Sequence, residues 1–283
     1  MTETENLLPA LLRIAEALER ISPTTHDALK LDKANAWVWQ GQSTELIPVE
    51  NFSALPVSLL QGIDHVSEIL RKNTLQFAKG LPANNALLWG ARGMGKSSLI
   101  KAIFAQLIED YNNLSIIEIH RDDLASLDAL LNIIRNDTKR YIIYCDDMSF
   151  DAQDSSYKSL KTVLDGSIAG RPDNVIFYAT SNRRHLMPRE MMENERGTAI
   201  HASEALEEKV SLSDRFGLWL GFHGCNQEEY LSMIDGYAKY FGIENYNSLH
   251  KEALEWAITR GSRSGRVAWQ FMTDLAGRKN IAL

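Results

Sequence analysis

Eight consecutive residues, Gly90-Ala91-Arg92-Gly93-Met94-Gly95-Lys96-Ser97, have the types and spacing to hold a polyphosphate. They fit G-x-x-x-x-G-K-[ST], the phosphate-binding P-loop. Glycines let the backbone curl so that successive N–H groups point inward at anionic oxygens. A helix that follows such a loop adds the positive end of its dipole. Lys96 is placed to reach the β- and γ-phosphates, and the Ser97 hydroxyl to ligate Mg²⁺. With Ser98 next to it, the candidate nucleotide-binding set runs from Gly90 to Ser98.

A second group lies further along the chain. Asp146 and Asp147 follow the apolar run Tyr141-Ile142-Ile143-Tyr144-Cys145 directly. A carboxylate at the carboxyl end of a strand, beside a phosphate loop, suits the magnesium shell, and Asp146 takes that role opposite Ser97. Asp147, one residue on, can act as the base that orients an attacking water. Asn182 ends the run Thr180-Ser181-Asn182. An amide there can hydrogen-bond the water or the γ-phosphate.

These groups need elements to position them. Ala86-Leu87-Leu88-Trp89 is a short apolar run suited to a buried parallel strand, and Ser98 to Ile108 reads as the helix after the loop. Beyond it, strands over 115–119, 141–145 and 174–180 alternate with helices over 124–135 and 154–168. Short strands alternating with helices predict an α/β, three-layer fold with a parallel sheet covered on both faces. Leu218-Trp219-Leu220-Gly221-Phe222 adds one more strand. From Asn226 the pattern is helical only. Asn226 with Glu229 opens one helix as a capping box, Ser248 caps the next, and residues 264–277 form the last.

The N-terminal part is different. Residues 6–21 have helical apolar spacing, and a second amphipathic helix covers 63–78. Ser22-Pro23, Gly41-Gln42-Ser43 and Pro48 make 22–55 read as a linker of irregular structure, with Trp37 and Trp39 as anchors on the core. The organisation expected is an N-terminal helix and linker over 1–54, a P-loop core over 55–224 and a small all-α lid over 225–283.

Bulk properties narrow the class. The chain has 283 residues, 45% hydrophobic and 24% charged, which is ordinary for a globular protein. No apolar run approaches the roughly 20 residues that span a bilayer. The acidic start Met1-Thr2-Glu3-Thr4-Glu5 lacks the basic opening of a secretory signal. Cys145 and Cys225 are the only cysteines, so no disulfide framework is expected, and a cytoplasmic location is. A net charge of −7 argues against non-specific nucleic-acid binding by the whole surface. Arg183-Arg184-His185 is nonetheless a compact basic cluster beside the site, where DNA could be contacted.

The chain resembles the AAA+ ATPases and, more closely, the predicted-ATPase family of domain of unknown function 815. The residues that carry the closer match are Leu87 to Ser98, Cys145-Asp146-Asp147-Met148-Ser149-Phe150, Tyr178 to His185, and Glu208 to Leu218. The match is read over roughly 55–275, without the N-terminal 50 residues. The resemblance implies Mg-ATP as ligand, hydrolysis as the reaction, and a homo-oligomer, with a hexamer as the common form. It implies that Asn182 is a sensor-1 residue, and that Arg215 in Ser213-Asp214-Arg215-Phe216 is an arginine finger reaching a neighbouring subunit. It implies that Arg266 in Ser264-Gly265-Arg266 is the lid arginine touching the γ-phosphate, with Arg263 as competitor.

Two features depart from the resemblance. Asp147 stands where most AAA+ proteins carry Glu, one methylene longer. The loop His120-Arg121-Asp122-Asp123-Leu124 lacks the aromatic-apolar-glycine tripeptide of protein-threading rings. Residues 186–210 form a long charged insertion suited to a partner contact. The expected activity is ATP hydrolysis coupled to conformational change or oligomer remodelling of an unknown client, with an unidentified protein as the expected partner. A DNA-associated loader is the alternative, and a scaffold with little turnover comes third.

Overall fold

The computed structural model describes residues 31–150, 157–165, 171–184, 186, 214–243 and 248–281. The helix expected over 6–21, the insertion beyond Leu186 and His185 lie outside the described residues.

The core is a seven-stranded sheet: β1 (Ala36–Gln40), β2 (Glu45–Pro48), β3 (Ala86–Gly90), β4 (Leu114–Ile119), β5 (Arg140–Cys145), β6 (Val175–Ser181) and β7 (Leu218–Phe222). Their spatial order is β2-β1-β4-β5-β6-β3-β7. Every pairing is parallel except β1 with β2. The helices are α1 (Asp64–Ala78), α2 (Lys96–Ile108), α3 (Leu127–Ile134), α4 (Tyr157–Asp165), α5 (Gln227–Tyr240), α6 (Leu249–Thr259) and α7 (Gly265–Arg278).

The continuous apolar runs are explained by burial on both faces. All seven residues of β6 are buried. Successive side chains alternate between two cores. Leu88, Ile142, Tyr144, Ile176 and Tyr178 face one core, shared with α1, α2 and the C-terminal helices. Leu87, Tyr141, Ile143, Val175 and Phe177 face the other, against α3 and α4.

Residues 36–48 differ from the irregular linker expected of them. They form a hairpin whose β1 pairs in parallel with β4 and extends the sheet. Gly, Ser and Pro marked its turn and its end, and masked the short strands between them. Trp37 and Trp39 are buried, as expected of anchors. The Trp39 indole N–H donates to Ser126 Oγ at 2.7 Å. Lys139 fastens the start of the described chain, donating through Nζ to the carbonyl of Leu31, the carbonyl of Ala34 and Asn35 Oδ1. The helix expected over 124–135 begins as a 3-10 segment, Arg121–Ser126, before α3.

The C-terminal elements follow their sequence signals. Asn226 caps α5 in a reciprocal box: its side chain accepts from Glu229 N, and the Glu229 carboxylate accepts from Asn226 N. At α7 the Ser264 side chain accepts from Val267 N. Ser248 makes no such cap bond, and its hydroxyl donates to Glu252 instead.

Candidate active site

The carboxyl ends of β3, β5 and β6 converge on a cavity of about 760 Å³. Its polar floor is the loop Arg92–Ser98 together with Lys101, Asp146, Asp147, Thr180 and Asn182. Residues 53–63 supply an apolar wall through Leu55, Leu59, Leu60 and Ile63. Met233 and Tyr237 of α5, with Gly265, Arg266 and Trp269 of α7, close the opposite side.

Close approach dictates two loop glycines. Gly90 has φ +124, and a Cβ there would lie 2.0 Å from the Phe222 carbonyl oxygen. That approach lets Ala91 N donate to Phe222 O at 2.8 Å and joins the loop to β7. Gly93 has φ +73, and a Cβ there would meet Arg266 and Ser264 at 3.0 Å. Its carbonyl accepts from Arg266 N at 3.0 Å, so the first turn of α7 docks on the loop backbone.

Lys96 opens α2 and is buried. Its ammonium donates to Gly90 O and Ala91 O at 2.8 Å and to Asn182 Oδ1 at 3.0 Å. Three acceptors use all three of its protons. Burial pushes its pKa below the ordinary lysine value, and the Asp147 and Asp146 carboxylates pull against that shift. Asn182 then donates through Nδ2 to Asp147 Oδ1. A single amide thus links the loop lysine to the second acid.

Asp146 is held from two sides. The hydroxyls of Ser97 and Thr180 both donate to its Oδ1 at 2.5 Å. Partial desolvation in the cavity would raise its pKa, but hydrogen-bond donors, the Ser97 and Thr180 hydroxyls foremost, more than offset it, and the carboxyl sits below the usual aspartate value. Asp146 is therefore ionised at neutral pH. Asp147 adopts φ +48, a left-handed conformation uncommon for a residue with a Cβ. Tyr144, buried beneath the pair, has its phenol pushed strongly upward by burial and stays neutral.

The structure brings together Arg92 to Ser98, Asp146, Asp147, Asn182 and Arg266 on one cavity, while Gly90 and Ala91 lie outside its lining and accept from Lys96 through their carbonyls. Arg263 is not part of the lining; it donates to Gln227 Oε1 at 3.3 Å. Arg215 is not part of it either. It is half-buried and precedes Leu218, whose end of β7 lies opposite the loop in the register Ala86↔Leu218, Gly90↔Phe222. Arg183 and Arg184 are exposed, and the Arg184 guanidinium lies 5.2 Å over the Trp89 ring.

The sequence reading missed Thr180 and the apolar walls. The signal for Thr180 lies in the sheet register, not in the sequence. β5 and β6 run in parallel with Cys145 opposite Ala179, so the residue after each strand pair brings Asp146 beside Thr180. The apolar walls had no such signal, because their residues come from distant segments.

Comparisons with known proteins bear on the family and the fold. The family model described as Protein of unknown function (DUF815) matches residues 32–279. It begins earlier than the 55 expected and takes in the hairpin, which is part of the sheet. No curated protein sequence matches the chain. Among solved structures, the chain is similar to a point mutant of RuvB from Thermotoga maritima, with 16% identity and a TM-score of 0.54 over 80% of this chain and 69% of that one. A second RuvB mutant gives 16% identity and 0.53, over 78% of this chain and 65% of that one. The Orc1 protein of Aeropyrum pernix, solved in complex with DNA, gives 14% identity and 0.54, over 82% of this chain and 66% of that one. This chain thus spans about two thirds of the length of these structures, and at such identities the likeness is one of fold. With a family match over nearly its whole length and a sheet, loop and helices arranged as in RuvB and Orc1, the chain belongs to the DUF815 family and has the AAA+ fold.

Proposed function

We propose that this protein binds Mg-ATP in the cavity and hydrolyses it. One observation carries the reading: Lys96, Asn182 and Asp147 form a continuous hydrogen-bonded chain beside the Ser97–Asp146 pair, along one wall of a single cavity. That is the set of groups needed to hold a terminal phosphate and aim a water at it.

Each residue has a stated task. Lys96 exchanges its present carbonyl acceptors for phosphate oxygens. Asn182, released from Lys96, turns its amide to the γ-phosphate or the water. Asp147 takes the water's proton. Arg266 supplies positive charge from within the same chain, and Arg215 supplies it from a neighbouring copy. The apolar walls at Leu55, Ile63, Tyr237 and Trp269 enclose the base.

The residues fit magnesium. A hydroxyl and an ionised carboxylate are hard oxygen donors, and among the described residues no cluster of three or more His, Cys, Asp or Glu could form a closed protein cage. Mg²⁺ is commonly held that way, by one or two protein oxygens with phosphate and water completing the shell. Ser97 and Asp146 would hold it, and when bound it neutralises charge on the phosphates.

The lid over 225–283 couples the site to motion. Its contact with the loop is the Arg266 N to Gly93 O hydrogen bond, so a change in the loop on hydrolysis reaches α7 directly. A DNA role gains no separate observation, since Arg183 and Arg184 lie outside the cavity and Arg184 is engaged over Trp89.

Lys96→Ala tests the reading. Phosphate release by the purified chain should fall to background, and affinity for a fluorescent ATP analogue should drop at least about tenfold. Unchanged turnover and affinity in that variant would end it.

A further inference from the structure

Thr180 touches three consecutive residues of the acidic turn. It lies on β6, two residues before Asn182, and only 1% of it is exposed. Its carbonyl accepts from Met148 N at 2.7 Å. Its hydroxyl accepts from Asp147 N at 2.9 Å and donates to Asp146 Oδ1 at 2.5 Å. The directions follow from chemistry: an N–H can only donate and an ionised carboxylate can only accept, so the hydroxyl proton goes to Asp146. One oxygen atom therefore serves both acids. The φ of +48 at Asp147 adds a second observation. A residue with a Cβ stays in that region only where its surroundings hold it.

We propose that Thr180 is a positioning residue for both acids of the site. Its hydroxyl turns one carboxylate oxygen of Asp146 toward Ser97. The same hydroxyl, with the Thr180 carbonyl, holds the left-handed turn that directs the Asp147 carboxylate at Asn182. The proposal rests on the Mg-nucleotide reading of the cavity.

Valine at this position keeps the shape and removes the oxygen. Asp146 then has one donor fewer, and the Asp147 N–H loses its partner. Serine keeps the oxygen. The experiment titrates Mg²⁺ against binding of a fluorescent ATP analogue by the full chain, Thr180→Val and Thr180→Ser. It also measures phosphate release at saturating Mg-ATP and the melting temperature of each.

Thr180→Val should raise the Mg²⁺ half-saturation about tenfold and lower kcat by at least as much. Metal-free nucleotide affinity should stay within about twofold, because the loop is untouched. Thr180→Ser should restore both quantities to within about threefold of wild type. The proposal is overturned if Thr180→Val leaves Mg²⁺ half-saturation and kcat unchanged. It is equally overturned if Thr180→Ser is as impaired as Thr180→Val. A wild-type chain that binds Mg-nucleotide and releases no phosphate would overturn the hydrolysis reading alone, and the Mg²⁺ titration would then decide Thr180. A wild-type chain that binds no nucleotide overturns both.

Discussion

Lys96 is already satisfied by protein. Its three protons go to two loop carbonyls and Asn182, so a nucleotide must displace bonds rather than fill a vacant donor. On the proposed reading, Asn182 is released in the same exchange and can let go of Asp147, so that phosphate binding at the lysine would free the second acid. Asp146 behaves differently. Hydrogen-bond donors hold its folded pKa below the ordinary value despite partial desolvation, so as pH falls the unfolded chain takes up its proton first. The stability it contributes is complete above the unfolded value of about 3.9 and is lost as pH falls through the lower folded one. In urea titrations between about pH 6 and pH 3, wild type should lose more stability than Asp146→Asn. Parallel curves for the two would refute that assignment. At this scale the sequence was legible wherever a residue stands in a motif, as at Lys96, Ser97 and Asp146. It was silent on Thr180, whose role exists only because β6 lies beside β5.

The elements place these residues through a few close contacts. β3 and β7 meet so tightly at Gly90 that a methyl group has no room against the Phe222 carbonyl. Gly90→Ala should therefore lower folding stability by about 2 kcal/mol or more, by strain at φ +124 and by displacement of a backbone neighbour. A melting curve unchanged from wild type would show that β7 can yield. The alternation of strands and helices was readable because buried parallel strands are continuously apolar, and the α5 cap was readable because Asn226 and Glu229 carry it on their side chains. The hairpin was not. Its strands are five and four residues long and sit among turn formers, and the partner that makes β1 a strand is β4, far along the chain.

At the scale of the whole molecule, the site is incomplete in one chain on our reading. Arg215 lies at the end of β7 away from the loop, outside the lining of its own cavity. If it completes a neighbour's site, Arg215→Ala should reduce phosphate release about a thousandfold while leaving nucleotide affinity nearly intact. Mixing Arg215→Ala with Lys96→Ala should recover part of the activity, since one supplies an intact site and the other an intact arginine. No recovery on mixing, or a strict monomer by light scattering with a slowly hydrolysed ATP analogue, would count against an inter-subunit site. Among the described residues no helix is long and apolar enough to cross a membrane.

The hairpin gives the far edge of the sheet a mechanical connection to the cavity. From β2 the backbone runs past Phe52, whose ring packs edge-on against Phe104 of α2 at 5.1 Å, and immediately becomes the cavity wall at Ser53, Ala54 and Leu55. A boundary drawn between residues 54 and 55 would cut through that wall. Whatever pulls on the far edge of the sheet pulls, within a few residues, on the apolar wall of the cavity. The same stretch can carry a change in the cavity outward to β2 and β1 at the edge of the sheet.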